Sequence, residues 1–305
     1  MKHRDFLSIR DLSPAEIRAI FKRAEVFMKA CPPRSLEGRT VVLLFEKAST
    51  RTRVSFEVGI ARLGAHPVVL GVEGSQIARG EPLKDTARIL AGYCDAVVMR
   101  TFGHERIEEM AHWADVPVIN ALTDLLHPCQ VLSDCFTLQR RFGELKGRKV
   151  AWIGDGNNMA NSWINAAAML GFELALACPE GFEPDSDILD AARKDGTVVQ
   201  VVHDPYVAVR KSVAVNTDVW ASMGQEAEAE QRRKAFASYR VDEALMDAAA
   251  PEAVFMHCLP AHRGEEVTEG VLEGKRSIVW EQALNRLYIQ EAIIEFLLQQ
   301  GKEAT

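Results

Sequence analysis

Apolar and polar positions along the chain form two successive series of short strands and amphipathic helices. The run Thr40-Val41-Val42-Leu43-Leu44-Phe45 reads as a buried strand. Val54, Phe56, Val58, Ile60, Ala61 and Leu63 then recur at helical spacing, closed by Gly64 where a C-terminal cap belongs. Upstream, Ser13-Pro14-Ala15-Glu16 is a capping box with proline at the first helical position, opening an amphipathic helix to Met28. The first series continues with strands expected at 66–70, 96–99 and 116–119, and helices at 84–93, 107–113 and 128–142. A second series starts after Gly143-Glu144-Leu145-Lys146-Gly147. It predicts strands at 149–153, 174–178, 198–202, 212–215, 254–256 and 278–280, with helices at 159–170 and 188–193. Residues 225–234 read as a polar loop or helix start, and 284–299 as a long final helix.

Strands alternating with helices of this length imply an α/β fold of two domains, each a parallel sheet flanked by helices. The boundary is expected near residue 134, with the last helix returning to the first half. That gives residues 1–133 plus 285–305 as one domain and 134–284 as the other. Ligands of open α/β sheets bind beyond the carboxyl ends of the strands, so polar residues ending strands are the candidates. In the first half these are Ser49-Thr50-Arg51-Thr52-Arg53, Arg100 and His127-Pro128-Cys129-Gln130. In the second they are Gly154-Asp155-Gly156-Asn157-Asn158, Asp218 with Ser222-Met223-Gly224, and His257-Cys258-Leu259-Pro260. The active site is expected in the cleft between the two domains.

Ser49 to Arg53 brings hydroxyls and two arginines to a helix N-terminus, where free N–H groups and the helix dipole favour an anion. An ordinary capped helix with solvated arginines is the competing reading. Gly154-Asp155-Gly156 lacks the third glycine of a dinucleotide turn, which leaves a tight turn presenting amides. His257 and Cys258 are neighbours on a strand and point to opposite faces, so they do not make a nucleophile–base pair. No His, Cys or carboxylate spacing matches a metal ligand set, and no metal is expected.

With 48% apolar and 26% charged residues among 305, the chain can bury sizeable cores. The net charge of −7 disfavours nucleic acid and leaves any anion to be bound by a few placed cations. Six scattered cysteines without a CxxC pair fit a reducing, cytoplasmic setting. The opening residues carry no signal-peptide core, and no apolar run approaches a membrane span. Fixed cations, neutral donors, one carboxylate and one thiol suit transfer chemistry on an anionic substrate by positioning and electrostatic stabilisation.

Taken in chain order, Ser49-Thr50-Arg51-Thr52-Arg53, Arg100 and His127-Pro128-Cys129-Gln130 resemble the carbamoyl-phosphate site of the aspartate/ornithine carbamoyltransferase family. Asp218-Val219-Trp220-Ala221-Ser222-Met223-Gly224 and His257-Cys258-Leu259-Pro260 resemble the loops of its ornithine-specific branch. The resemblance spans essentially the whole chain. It implies transfer of the carbamoyl group from carbamoyl phosphate to the δ-amine of L-ornithine, giving L-citrulline and phosphate without a cofactor. It further implies a homotrimer or a multiple of trimers, and a place in arginine biosynthesis or in the catabolic arginine deiminase pathway. Carbamoylation of putrescine, acetylornithine or aspartate is the alternative.

By the same resemblance, Ser49, Thr50, Arg51 and Thr52 hold the phosphate. Arg100 bridges phosphate and carbonyl oxygen, His127 and Gln130 polarise the carbamoyl group, and Arg286 returns to it. Gln76 reaches a neighbouring subunit's phosphate. Asn157, Asn158, Asp218, Ser222 and Met223 grip the amino-acid end of ornithine, while Cys258 and the Leu259 carbonyl approach the δ-nitrogen. Arg51, Arg100, His127 and Cys258 are thereby the catalytic set. One residue and one four-residue segment depart from the family pattern. Ala48 stands where proline is common, and Arg79-Gly80-Glu81-Pro82 is closer to the aspartate branch.

Overall fold

The computed structural model describes residues 3–71, 76–221 and 228–299. The chain divides into two compact units, one of residues 1–133 and 285–305 and the other of residues 134–284.

In the first unit, β1 (Thr40–Phe45), β2 (His66–Gly71), β3 (Ala96–Arg100) and β4 (Val118–Leu122) form a four-stranded sheet in the order β2-β1-β3-β4. All three pairings are parallel. Around the sheet lie α1 (Pro14–Lys29), α2 (Thr50–Arg62), α3 (Leu83–Ala91), α4 (His104–Trp113) and the first turns of α5 (Pro128–Phe142). The capping box of α1 forms as expected: Ser13 Oγ accepts from the Glu16 amide and Glu16 returns to the Ser13 amide. Val42, Leu44, Val97, Met99 and Val118 of the sheet pack with Leu83, Ala87, Ile107 and Met110 of the helices. The strand expected at 116–119 begins two residues later, at Val118. There the chain takes up Phe6, whose amide donates to the Val118 carbonyl and whose carbonyl accepts from Asn120.

In the second unit, β5 (Lys149–Ile153), β6 (Glu173–Ala177), β7 (Val199–Val202), β8 (Ala214–Thr217) and β9 (Val254–His257) make a five-stranded sheet. Its order is β7-β6-β5-β8-β9, again parallel throughout. Its connections carry α6 (Asn158–Leu170), α7 (Ser186–Lys194), α8 (Pro205–Val209), α9 (Ala229–Phe236), α10 (Glu243–Asp247) and α11 (Glu269–Leu272). One core of the unit gathers Phe236, Tyr239, Phe255 and Trp220 with the small residues Ala151, Ala175 and Ala177 of the sheet. The α/β class with two parallel sheets is therefore as the hydrophobic pattern predicts. Each series, however, contains turns that are too short for a periodic signal, α8, α10 and α11 among them.

One expected element is wrong. Residues 278–280 read as a strand, but α12 (Val279–Gln299) begins there. Ser277 only bridges to Phe255, and the Ile278 amide donates to the Phe255 carbonyl before the helix takes over. An apolar triplet cannot by itself distinguish a buried strand from a buried helical turn. Among the described residues, no helix is long and apolar enough to cross a membrane.

Candidate active site

Each sheet reverses its strand order once, and the candidate residues gather at those reversals. In the first unit the reversal lies between β1 and β3, whose carboxyl ends deliver Ser49 to Thr52 and Arg100. In the second it lies between β5 and β8, whose ends deliver Asn157 and Asp218. These are the positions at which open α/β sheets bind ligands.

Ser49 is the N-cap residue of α2, but its side chain makes no capping hydrogen bond. Its Oγ instead accepts from Nη1 of Arg100 at 3.1 Å. The same guanidinium donates to Thr52 Oγ1 at 3.0 Å, and Nη2 of Arg286 donates to that oxygen at 2.7 Å. Nη1 of Arg286 reaches Gln130 Oε1 at 3.0 Å. Two guanidiniums, only 7% and 5% exposed, thus converge on one threonine hydroxyl. Charged groups this close and this buried are costly unless an anion sits with them. The N-terminus of α2 adds its dipole to the same corner. His127 is equally buried, and burial first, then the charges of Arg286 and Arg100, hold its imidazole well below the ordinary value. It is a neutral donor or acceptor, not a third cation. Thr50 and Arg51 are exposed on the first turn of α2, and Gln76 is exposed before a short 3-10 turn. Cys129 is structural: burial pushes its thiol up to about 12, and it donates to the Asn120 carbonyl.

In the second unit Asn157 caps α6, its Oδ1 accepting from the Met159 and Ala160 amides. Its Nδ2 donates to Asp218 Oδ2 at 3.2 Å. The other carboxylate oxygen of Asp218 accepts from the Val219 amide at 2.8 Å and from Cys258 Sγ at 3.1 Å. Asn157, Asp218 and Cys258 are therefore one hydrogen-bonded group, half-buried and at adjacent strand ends. Leu259 follows with φ of +60°, a left-handed conformation for a branched side chain, and a cis bond to Pro260. The positive φ at a non-glycine residue costs on the order of 1–3 kcal/mol and is found at ligand clamps. His257 is fully buried; its Nδ1 accepts from the Leu259 amide at 2.9 Å and its Nε2 faces Glu266 at 3.3 Å. It braces the Cys258-Leu259 corner; β9 ends at His257, so Cys258 lies just past the strand and the opposite faces expected of strand neighbours do not apply to it.

The Gly154-Asp155-Gly156 turn does not present its amides. The Gly154 amide donates to Ala177 and the Gly156 amide to Phe182. Gly156 is required by close approach, since a Cβ there would lie 2.2 Å from the backbone joining Glu183 and Pro184. Asp155 is instead ion-paired with Arg232, which also donates to the Trp220 carbonyl and is 5% exposed. Burial pushes the Asp155 carboxyl up to about 6 against the pull of that arginine. Asp155 lay within the candidate turn, but Arg232 carries no sequence signal beyond its charge, and sequence reasoning missed it and the pairing. Ser222 and Met223 lie outside the described residues.

Among the described residues, two groups of acidic and imidazole or thiol side chains are close enough to hold a cation. In Asp218, His257 and Cys258 the thiol is spent on the carboxylate. In His262, Glu265 and Glu266, Glu265 is engaged by Arg233 at 3.0 Å. Both are accounted for by internal pairing.

The carbamoyl-P binding domain of the aspartate/ornithine carbamoyltransferases matches residues 4–140, and the Asp/Orn binding domain of the same family matches residues 146–297. The ornithine carbamoyltransferase of Geobacter sulfurreducens is 53% identical over 300 residues, covering 97% of this chain and 99% of that protein. That of Oleidesulfovibrio alaskensis is 54% identical over 296 residues, covering 96% and 98%. Among solved structures, the ornithine carbamoyltransferase of Pyrococcus furiosus superposes with a TM-score of 0.91 at 46% identity, covering 96% of each chain. The anabolic enzyme of Campylobacter jejuni does so at 0.92 and 41% identity, covering 98% of this chain and 100% of that one. With both domain models matched in order and such relatives aligned nearly end to end, the chain belongs to the aspartate/ornithine carbamoyltransferase family.

Proposed function

We propose that this chain is an ornithine carbamoyltransferase, converting carbamoyl phosphate and L-ornithine to L-citrulline and phosphate. The observation that carries the reading is the convergence of Arg100 and Arg286 on Thr52, beside Gln130 and a neutral His127. Ser49, Thr50, Arg51 and Thr52 take the phosphate oxygens. Arg100 and Arg286 lie where negative charge develops, on the carbonyl oxygen and the departing phosphate. His127 and Gln130 polarise the carbamoyl group without adding charge. Asn157, Asn158, Asp218, Ser222 and Met223 hold the amino-acid end of ornithine, and Cys258 with the Leu259 carbonyl orients the δ-nitrogen.

The δ-amine, with a lysine-like pKa of about 10.4, must shed its proton before its lone pair attacks the carbamoyl carbon. Positive charge around the anion disfavours a neighbouring ammonium and so assists that loss. The new C–N bond forms, the carbon–oxygen bond to phosphate breaks, and phosphate departs into donors already aimed at it. No cofactor or metal enters. We further assign the chain to the cytoplasm and to a homotrimer or a multiple of it, in which Gln76 serves a neighbouring subunit's site. The anabolic relative from Campylobacter jejuni favours a role in arginine biosynthesis.

A colorimetric citrulline assay with ornithine tests the reaction, run beside putrescine, acetylornithine and aspartate. Ornithine should be the preferred acceptor. Turnover on another amine with none on ornithine would remove the assignment.

A further inference from the structure

Glu46 and Lys47 stand between the end of β1 and the hydroxyls of Ser49 to Thr52, and the proposed chemistry uses neither. A carboxylate three positions before an anion-binding residue is an electrostatic problem, and more so when buried: only 4% of the Glu46 side chain is exposed. The fold answers it with a fork. Glu46 Oε2 accepts from Arg106 Nε at 3.0 Å and Oε1 accepts from Nη2 at 2.5 Å, while the Thr101 hydroxyl donates to Oε2. The Glu46 amide also donates to the Arg100 carbonyl at 2.8 Å. Side chain and backbone together fasten Glu46 to the end of β3, the strand that delivers Arg100. Lys47 extends the attachment: it pairs with Asp124 and stands 4.4 Å from the centre of the Phe102 ring. The Asp124 amide donates to the Phe102 carbonyl.

We propose that the Glu46–Arg106 fork is a positioning pair for the anion site. It cancels the carboxylate nearest the phosphate and locks the β1–α2 connection against Arg100. Arg106 lies in the first turn of α4, about a third exposed, and touches no substrate in the proposed assignment. Its effect passes through Glu46. Breaking a buried pair by removing one partner strands the other charge, which is worse than replacing both. The inference rests on the reading that this corner binds a phosphate group.

Four proteins test it: wild type, Arg106→Gln, Glu46→Gln and the double variant. The dissociation constant of inorganic phosphate is measured by calorimetry, with KM for ornithine and Tm alongside. Arg106→Gln should weaken phosphate binding on the order of tenfold and leave KM for ornithine close to wild type. Adding Glu46→Gln should restore most of the phosphate affinity, because the stranded charge is gone. The inference is overturned if Arg106→Gln binds phosphate like wild type, or if the double variant recovers nothing. It is equally overturned if phosphate and ornithine suffer alike in step with a lowered Tm, which marks a merely structural role. Citrulline formation by the wild type is a separate outcome; its absence with this phosphate pattern intact would remove the acceptor and keep the fork.

Discussion

Thr52 is a neutral residue between two cations, and its hydroxyl oxygen accepts from both Arg100 and Arg286. Replacing it by valine keeps the shape of the side chain and removes the acceptor. Hydrogen bonds to charged groups are worth about 1.5–3 kcal/mol each, and the two guanidiniums would lose their common register. Thr52→Val should therefore cost about 3 kcal/mol, on the order of a hundredfold in kcat/KM for carbamoyl phosphate. KM for ornithine should stay near wild type. Steady-state kinetics with each substrate varied checks this, and a kcat/KM near wild type would take Thr52 out of the site. Asp218→Ala is the converse. It removes the acceptor shared by Asn157 and Cys258, and should damage ornithine use far more than phosphate binding. Equal damage to both would break the assignment of one substrate to each unit. The contiguous hydroxyls and arginines of 49–53 were readable as a candidate because they lie together in sequence. Arg286 was not, since α12 brings it to Thr52 across 234 positions; only the family resemblance pointed to it.

At the scale of elements, the helices with strong end signals were legible. α1 has its capping box, and α5 starts at Pro128 and ends at Phe142, where its apolar stripe gives out. The failures share a cause. At 278–280 the apolar triplet was short, and its partner was decided by tertiary contact with Phe255. In the Gly154 to Asn158 turn, composition showed a tight turn but not the destination of its amides. That destination depends on residues 177 and 182, which no local pattern specifies. The turn also yields a prediction. Gly156→Ala places a methyl group against the Glu183–Pro184 backbone, which cannot yield as a flexible side chain would. The β5–α6 connection must shift, at about 1–3 kcal/mol by the usual cost of overpacking. Because Asn157 follows immediately and caps α6 while holding Asp218, ornithine binding should weaken together with Tm. Denaturant unfolding and ornithine KM measured on the same protein check both; a loss of stability with unaltered KM would show that the turn does not set the Asn157 position.

At the scale of the molecule, the chain starts in the first unit, builds the second, and returns through α12 to finish the first. That return buries a carboxyl group. Glu291 on α12 is fully buried, its Cγ 3.0 Å from where a Cβ on Gly59 of α2 would stand, and it pairs with Arg62 of α2 at 3.0 Å. Glu295, one turn on, is itself held by Arg23 of α1. Burial pushes the Glu291 carboxyl from 4.5 up to about 7, against the pull of Arg62 and with Glu295 adding repulsion. The sign follows directly. The folded protein holds this proton more tightly than the unfolded chain does, so the contribution is intact below pH 4.5 and is lost as pH rises towards 7. At about 1.4 kcal/mol per pKa unit, the ionised carboxylate costs about 3 kcal/mol at pH 8. Glu291→Gln imitates the protonated form and should raise stability by about that amount at pH 8. Near pH 4 it should do almost nothing. Guanidinium unfolding of wild type and variant across this range measures the difference, which should open with rising pH. A difference that is flat, or that widens towards acid, would mean that Arg62 fully compensates the buried carboxylate, and that the return of α12 is not sensitive to pH at this position.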